Sequence, residues 1–239
     1  MSNVGQIEAW NAHYEGMNMM LIPDIRIVRW LNQIPAGARR QYHLLELGCG
    51  NGRHAILAAK MGYRVVAVDY SPNAISALRI WASIEGLSDL IEAYEVDITK
   101  ECALTDLHTT LDVGLSDMML CWGVMEYFDD DTVMRILEEA SYMCWQNARC
   151  LLMTRGPTDF CYQHAERSDG FMDLHKRSGG DWTFLLSRQK NWGGDVTVDS
   201  RLESFCNMVI GGVEGGKKEQ MLFLEAMNLE RSHSMDPEE

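Results

Sequence analysis

The chain has 239 residues, 46% apolar and 23% charged, proportions that suit one globular domain with a core of its own. Its 21 Lys and Arg against 35 Asp and Glu give a net charge of −14, which argues against nucleic acid as a partner, since neutralising phosphates needs a concentrated basic surface. The opening Met1-Ser2-Asn3-Val4-Gly5-Gln6 has no charged or apolar leader pattern, and no apolar run reaches the length of a bilayer span; the expected setting is cytoplasmic, with no membrane partner.

In chain order, residues 1–40 read as a helical cap, with Trp10, Tyr14, Ile27, Val28 and Trp30 available as an apolar face. His43 to Leu47 reads as a first strand and Arg53 to Met61 as a helix. Arg64 to Val68 is a β-branched run of buried-strand type. Ser71-Pro72 offers an N-cap and an N1 proline for a helix reaching about Glu85, with Gly86 as its stop. Ala93 to Val96 and Asp117 to Cys121 read as the third and fourth strands. Asp129-Asp130-Asp131 suits a helix N-terminus, where carboxylates complement the macrodipole, and Val133, Ile136, Leu137, Ala140 and Met143 continue that helix. Cys150 to Met153 is a fifth strand. The alternation predicts an α/β fold: a doubly wound, mostly parallel Rossmann-like sheet with helices on both faces. Beyond it, Trp182 to Leu186 and Val196 to Val198 read as strands and Lys217 to Glu230 as an amphipathic helix, an atypical C-terminal region. The whole is expected to be one domain: cap 1–40, core 41–156, and acceptor-side and C-terminal elements 157–239. Seven cysteines without a Cys-x-x-Cys pair or a histidine pair at metal spacing predict no metal site.

Chemistry concentrates in Glu46-Leu47-Gly48-Cys49-Gly50-Asn51-Gly52. Alternate glycines between a strand and a helix permit a tight turn and close backbone approach to a ligand. Asp69 ends the second strand nineteen residues after Gly50, the spacing at which an acid meets ribose hydroxyls in nucleoside-binding Rossmann units. A lone aspartate there equally suits capping the helix that starts at Ser71; the glycine loop upstream favours ribose. Asp97 closes the third strand, where it can face an adenine edge.

These stretches resemble the class I S-adenosylmethionine-dependent methyltransferases, small-molecule branch, over about Leu44 to Gly156. Leu44 to Gly52 is similar to the first motif of that family, Val66 to Ser71 to its second, Val96-Asp97-Ile98 to its third, and Asp117 to Phe128 to its fourth strand and following loop. The resemblance implies S-adenosylmethionine as cofactor. Glu46 and the loop Gly48, Cys49, Gly50, Asn51 and Gly52 would hold its methionine part, Asp69 with Tyr70 its ribose side, and Asp97 with Ile98 its adenine. Cys121 would lend its backbone carbonyl to the ammonium, with Tyr14 and Arg53 as further contacts.

The resemblance further implies methyl transfer to a small polar metabolite, on oxygen or nitrogen. Cys121-Trp122-Gly123-Val124 stands where amino-methylating nucleic-acid enzymes carry an Asn or Asp before Pro-Pro, and the chain has no Pro-Cys pair of the cytosine-C5 enzymes. Glu126 and Tyr127 after the fourth strand, Arg155 after the fifth and His164 are the catalytic candidates: a base where the acceptor needs one, and a guanidinium fork for a carboxylate or phosphate. Two alternatives stay open. A cofactor-binding partner subunit without turnover keeps the same loop and acids. A nicotinamide oxidoreductase fits less well, because the third glycine of Gly-x-Gly-x-x-Gly is absent and no Tyr is followed four positions later by Lys.

Overall fold

A computed structural model describes residues 10–12, 14, 22–157, 175, 177–188, 191–203 and 217–228. The strands are β1 (His43–Leu47), β2 (Arg64–Asp69), β3 (Ile91–Glu95), β4 (Ser116–Trp122), β5 (Cys144–Arg155), β6 (Trp192–Glu203) and β7 (Lys217–Asn228). The helices are α1 (Ile25–Leu31), α2 (Arg53–Lys60), α3 (Pro72–Ile84), α4 (Ala103–Leu111), α5 (Asp130–Tyr142) and α6 (Gly179–Arg188). Trp10, Asn11, Ala12 and Tyr14 are helical as well.

One sheet orders its strands β3-β2-β1-β4-β5-β7-β6. β1 to β5 pair in parallel, while β7 runs antiparallel between β5 and β6. Alternate residues of the parallel strands enter two cores. Leu45, Leu47, Val66, Val68, Met119 and Cys121 pack with side chains of α4, α5 and α6. Leu44, Val65, Ala67, Met118, Leu120 and Leu151 pack with α1, α2 and α3. Burial on both faces explains why these strands are continuously apolar instead of alternating. Each fully buried aliphatic side chain contributes on the order of 1.5–3 kcal/mol relative to exposure.

The reversal of strand order between β2-β1 and β4-β5 puts the carboxyl ends of β1, β2 and β4 around one crevice, where open α/β sheets take ligands. Local signals hold the helices there. Ser71 Oγ accepts from the Ala74 N–H at 3.2 Å with Pro72 at the first helical position, and Asp129 caps α5 by accepting from the Thr132 N–H at 2.8 Å. That bond holds the Asp129 carboxyl below its ordinary range.

The C-terminal expectations need correction. Lys217 to Asn228 is a strand, not a helix, and Trp182 to Leu186 lies in a helix, not a strand. In β7 Leu222, Phe223 and Leu224 are buried in a row, and from Leu224 on the buried Ala226 and Asn228 alternate with exposed Glu225 and Met227, a two-residue period hidden by helix-forming residue types. In α6 the buried Trp182, Leu185 and Leu186 keep helical spacing and leave Phe184 exposed. Val196 to Val198 does lie in a strand, β6, so an antiparallel hairpin closes the sheet. Helix α4 carried no expectation from the sequence. The end of the expected helix at 229–230 and the polar tail 232–239 lie outside the described residues.

Candidate functional site

The glycine loop joins β1 to α2, and its three glycines have positive φ: 65° at Gly48, 54° at Gly50 and 86° at Gly52. Two of them also mark close approaches. A Cβ on Gly50 would stand 2.6 Å from the Tyr14 hydroxyl, and one on Gly52 would run into the Leu78 side chain of α3. Left-handed backbone and absent space together require glycine at both positions.

Asp69 closes the loop from the side. Its Oδ2 accepts from the Gly50 N–H at 2.8 Å and its Oδ1 from the Ser71 N–H at 2.9 Å, with the residue 7% exposed. Burial raises its pKa, and the bonds from Ser71 and Gly50 only partly offset that. Ser71 and not Asp69 caps α3, and the Asp69 carboxylate ties the glycine loop to that cap residue. Burial likewise pushes the Cys49 thiol well up, with Asp69 and Glu46 adding to it, and Cys49 Sγ lies 3.4 Å from the Gly50 carbonyl. Asn51 is buried within the loop.

Beneath the loop lies Glu46, 1% exposed, with Oε1 3.1 Å from His54 Nδ1. Arg53, the first residue of α2, has its pKa lowered by burial against the opposing pull of Glu46 and Asp24. Above the loop, Tyr14 sits over Gly50 and stacks on Trp10 with centroids 6.0 Å apart; Trp10 meets Tyr127 edge-on at 5.8 Å. Asn11 ties this segment down: its Oδ1 accepts from Ser71 Oγ at 2.5 Å and its carbonyl from Asn73 Nδ2 at 3.2 Å. The aromatic trio thus bridges from the glycine loop to the turn after β4, a wall able to keep water from a bound ligand. Burial raises the Tyr14 hydroxyl, with the charge of Asp69 adding to it, and Tyr70 follows the same pattern.

Asp97 lies just past β3. Its Oδ1 accepts from the Thr99 N–H at 3.0 Å and from Thr99 Oγ1 at 2.6 Å, a turn-forming use, and Oδ2 lies 3.7 Å from Lys100 Nζ. Ile98 is buried in the core shared with Val66 and Val68. Cys121 is fully buried in β4 between Leu47 and Leu152, leaving only its backbone for a ligand.

On the far side of the crevice, Glu126 stands in a 3-10 turn (Met125–Tyr127) and is 1% exposed. Its Oε2 accepts from Thr154 Oγ1 at 3.2 Å, and its Oε1 lies 3.7 Å from Arg155 Nε. The Arg155 side chain is 34% exposed at the end of β5. These catalytic candidates, apart in sequence, meet as a pair. His164 lies outside the described residues. Sequence reasoning missed Arg177. Four per cent exposed, it donates from Nε to Asp130 Oδ1 at 2.7 Å, from Nη1 to the Met125 carbonyl at 3.2 Å and from Nη2 to the Phe128 carbonyl at 2.6 Å. It holds the turn that carries Glu126 and Tyr127. His54 was missed too, since only folding brings it to Glu46. Among the described residues no three His, Cys, Asp or Glu side chains gather as a metal site, and no helix is long and apolar enough to cross a membrane.

Residues 44–146 match the family model of a methyltransferase domain. The likeness to a methyltransferase domain covers 103 of the 239 residues, from β1 into β5. The human EEF1A lysine methyltransferase 2 is 32% identical over 95 residues, which are 38% of this chain and 39% of the relative. The match thus spans well under half of that relative. Among solved structures, one concerning conversion of a disulfide bond into a thioacetal group in echinomycin biosynthesis aligns with TM-score 0.63 at 20% identity, over 95% of this chain and 94% of the other. Magnesium protoporphyrin IX methyltransferase from Synechocystis PCC 6803, with bound SAH, aligns with TM-score 0.58 at 13% identity, over 85% and 81%. At these identities the likeness concerns the fold alone.

Proposed function

We propose that the chain binds S-adenosylmethionine in the crevice at the ends of β1, β2 and β4 and methylates the oxygen or nitrogen of a small polar metabolite. The observation that carries the reading is the Asp69 clasp on the Gly50 amide beneath Tyr14. It leaves a glycine-lined floor with a buried carboxylate at each end, Glu46 and Asp69. Those two acceptors fit a ligand that donates from an ammonium at one end and from ribose hydroxyls at the other. Glu46 and the Gly48–Gly52 loop would hold the methionine part, Asp69 the ribose, and Asp97 the adenine amino group through the oxygen facing Lys100.

S-adenosylmethionine, when bound, supplies a methyl group activated by its sulfonium. The chain's own work is positioning, proton handling and exclusion of water. Trp10, Tyr14 and Tyr127 screen the crevice. Arg155 offers a guanidinium fork to an anionic acceptor, and the Glu126 carboxylate beside it can take the acceptor proton. The five described cysteines are free thiols, which suits a reducing cytoplasm, and the −14 charge disfavours nucleic acid.

The test is a labelled-methyl transfer screen over small carboxylic acids, phosphorylated metabolites, amines and hydroxy compounds. A protein arm belongs in it, because the human relative is named for a protein lysine and a chain this acidic would attract a basic partner. S-adenosylhomocysteine binding without transfer in any arm would favour a partner subunit. With an acceptor in hand, Arg155→Lys should lower kcat/KM at least about tenfold while leaving S-adenosylhomocysteine affinity unchanged, because lysine keeps the charge and loses the fork. Full retention of kcat/KM would overturn the anionic-acceptor reading.

A further inference from the structure

The Glu46–His54 pair is incompletely bonded. Glu46 Oε2 and His54 Nε2 are both buried, and neither has a hydrogen-bond partner among the described residues. Glu46 is 1% exposed and His54 3%. His54 Nδ1 meets Glu46 Oε1 at 3.1 Å, and the imidazole centroid lies 5.7 Å from that of the Trp122 ring. A buried carboxylate oxygen without a donor is a costly arrangement unless a further group completes it. Glu46 sits two residues before Gly48, and its charge reaches the loop: it adds to the upward shifts of Cys49 and Asp69 and pulls against the lowering of Arg53.

We infer that His54 is a positioning residue for the amino-acid end of the cofactor: its imidazole anchors Glu46 through Oε1 and leaves Oε2 to accept from the ligand ammonium. This rests on the S-adenosylmethionine-binding reading and adds to it a residue.

Asp69, the other buried carboxylate at the loop, serves the ribose in this reading, so a ligand with the ribose and without the ammonium separates the two.

The experiment is calorimetric titration of the full chain with S-adenosylhomocysteine and with 5′-methylthioadenosine, in wild type, His54→Gln and His54→Ala. His54→Gln keeps an N–H for Glu46 and should hold S-adenosylhomocysteine affinity within about threefold, whereas His54→Ala should weaken it by about tenfold, the loss of one hydrogen bond to a charged group. 5′-Methylthioadenosine should bind all three equally. Equal losses for the two ligands, or no loss in His54→Ala, overturn the inference while leaving cofactor binding intact. Should His54→Ala not fold, His54→Leu, which fills the space without an N–H, takes its place. Failure of both ligands to bind the wild type overturns the cofactor reading and this inference together.

Discussion

Replacing Asp69 by asparagine separates a ligand group from a structural brace. The wild-type carboxylate accepts the Gly50 and Ser71 N–H groups at 2.8 and 2.9 Å, and an amide can accept only one of them, turning its NH2 toward the other. Losing a bond to a charged acceptor costs about 1.5–3 kcal/mol. Opposing this, burial raises the Asp69 pKa, so the ionised carboxylate is itself disfavoured in the folded protein, and a neutral amide relieves that. The two effects largely cancel, and melting should move by no more than about 5 °C, at roughly 2–4 °C per kcal/mol for a chain of this size. Cofactor affinity has no such compensation. An amide offers the ribose hydroxyls a weaker acceptor, and S-adenosylhomocysteine should bind about 1.5–3 kcal/mol more weakly, roughly 10- to 150-fold in Kd. Calorimetry and a thermal melt on the same sample check both halves. A melting point lower by more than about 10 °C with an unchanged Kd would refute the reasoning and leave Asp69 as a loop brace. The sign with pH is fixed as well. A carboxyl raised on folding contributes stability that is complete below its ordinary value of 3.8 and is lost as pH climbs through the folded-state value. Wild-type melting, referenced to Asp69→Asn, should therefore decline across that window as pH rises.

Three further substitutions address the frame of the site. Gly52→Ala forces a side chain into left-handed backbone and into Leu78, for about 1–2 kcal/mol of strain plus about 1–3 of overpacking; a denaturant midpoint equal to wild type would contradict the loop geometry. Asn228→Ala removes an amide that donates to the carbonyls of Ser141 and Cys144 at 2.9 and 3.0 Å from the buried end of β7. It should destabilise by about 1–3 kcal/mol in urea unfolding, and a neutral result would argue against the strand position of residues 217–228. Arg177→Met keeps an apolar stem over Trp182 and loses all three bonds to the 125–130 turn. A loss of about 3 kcal/mol is expected, with faster hydrogen exchange at Tyr127 and Phe128 and unchanged S-adenosylhomocysteine affinity; unchanged exchange would show that the turn holds itself.

The sequence by itself determined the half of the fold around the glycine loop. Strand β1, the glycine loop, α2, β2 and the capped start of α3 are neighbours in the chain. Their signals are local: a β-branched run, glycines where the backbone must turn left-handed, Ser71 and Pro72 at a helix start, and an acid nineteen residues past Gly50. Such features act over a few residues and need no distant partner. Tertiary structure decided the rest. Residues 217–228 carry Lys, Glu, Met, Leu and Ala, whose helix preference is worth only tenths of a kcal/mol each, and pairing with β5 on one side and β6 on the other overrides it by satisfying the backbone along its length. Likewise, no spacing announces that Tyr14 covers Gly50, that Arg155 meets Glu126, or that Arg177 holds the Met125 and Phe128 carbonyls. Those contacts join segments tens of residues apart, and their geometry exists only once the sheet has packed its two cores, because a side chain finds its partner through the shape of the folded surface and not through its position in the chain.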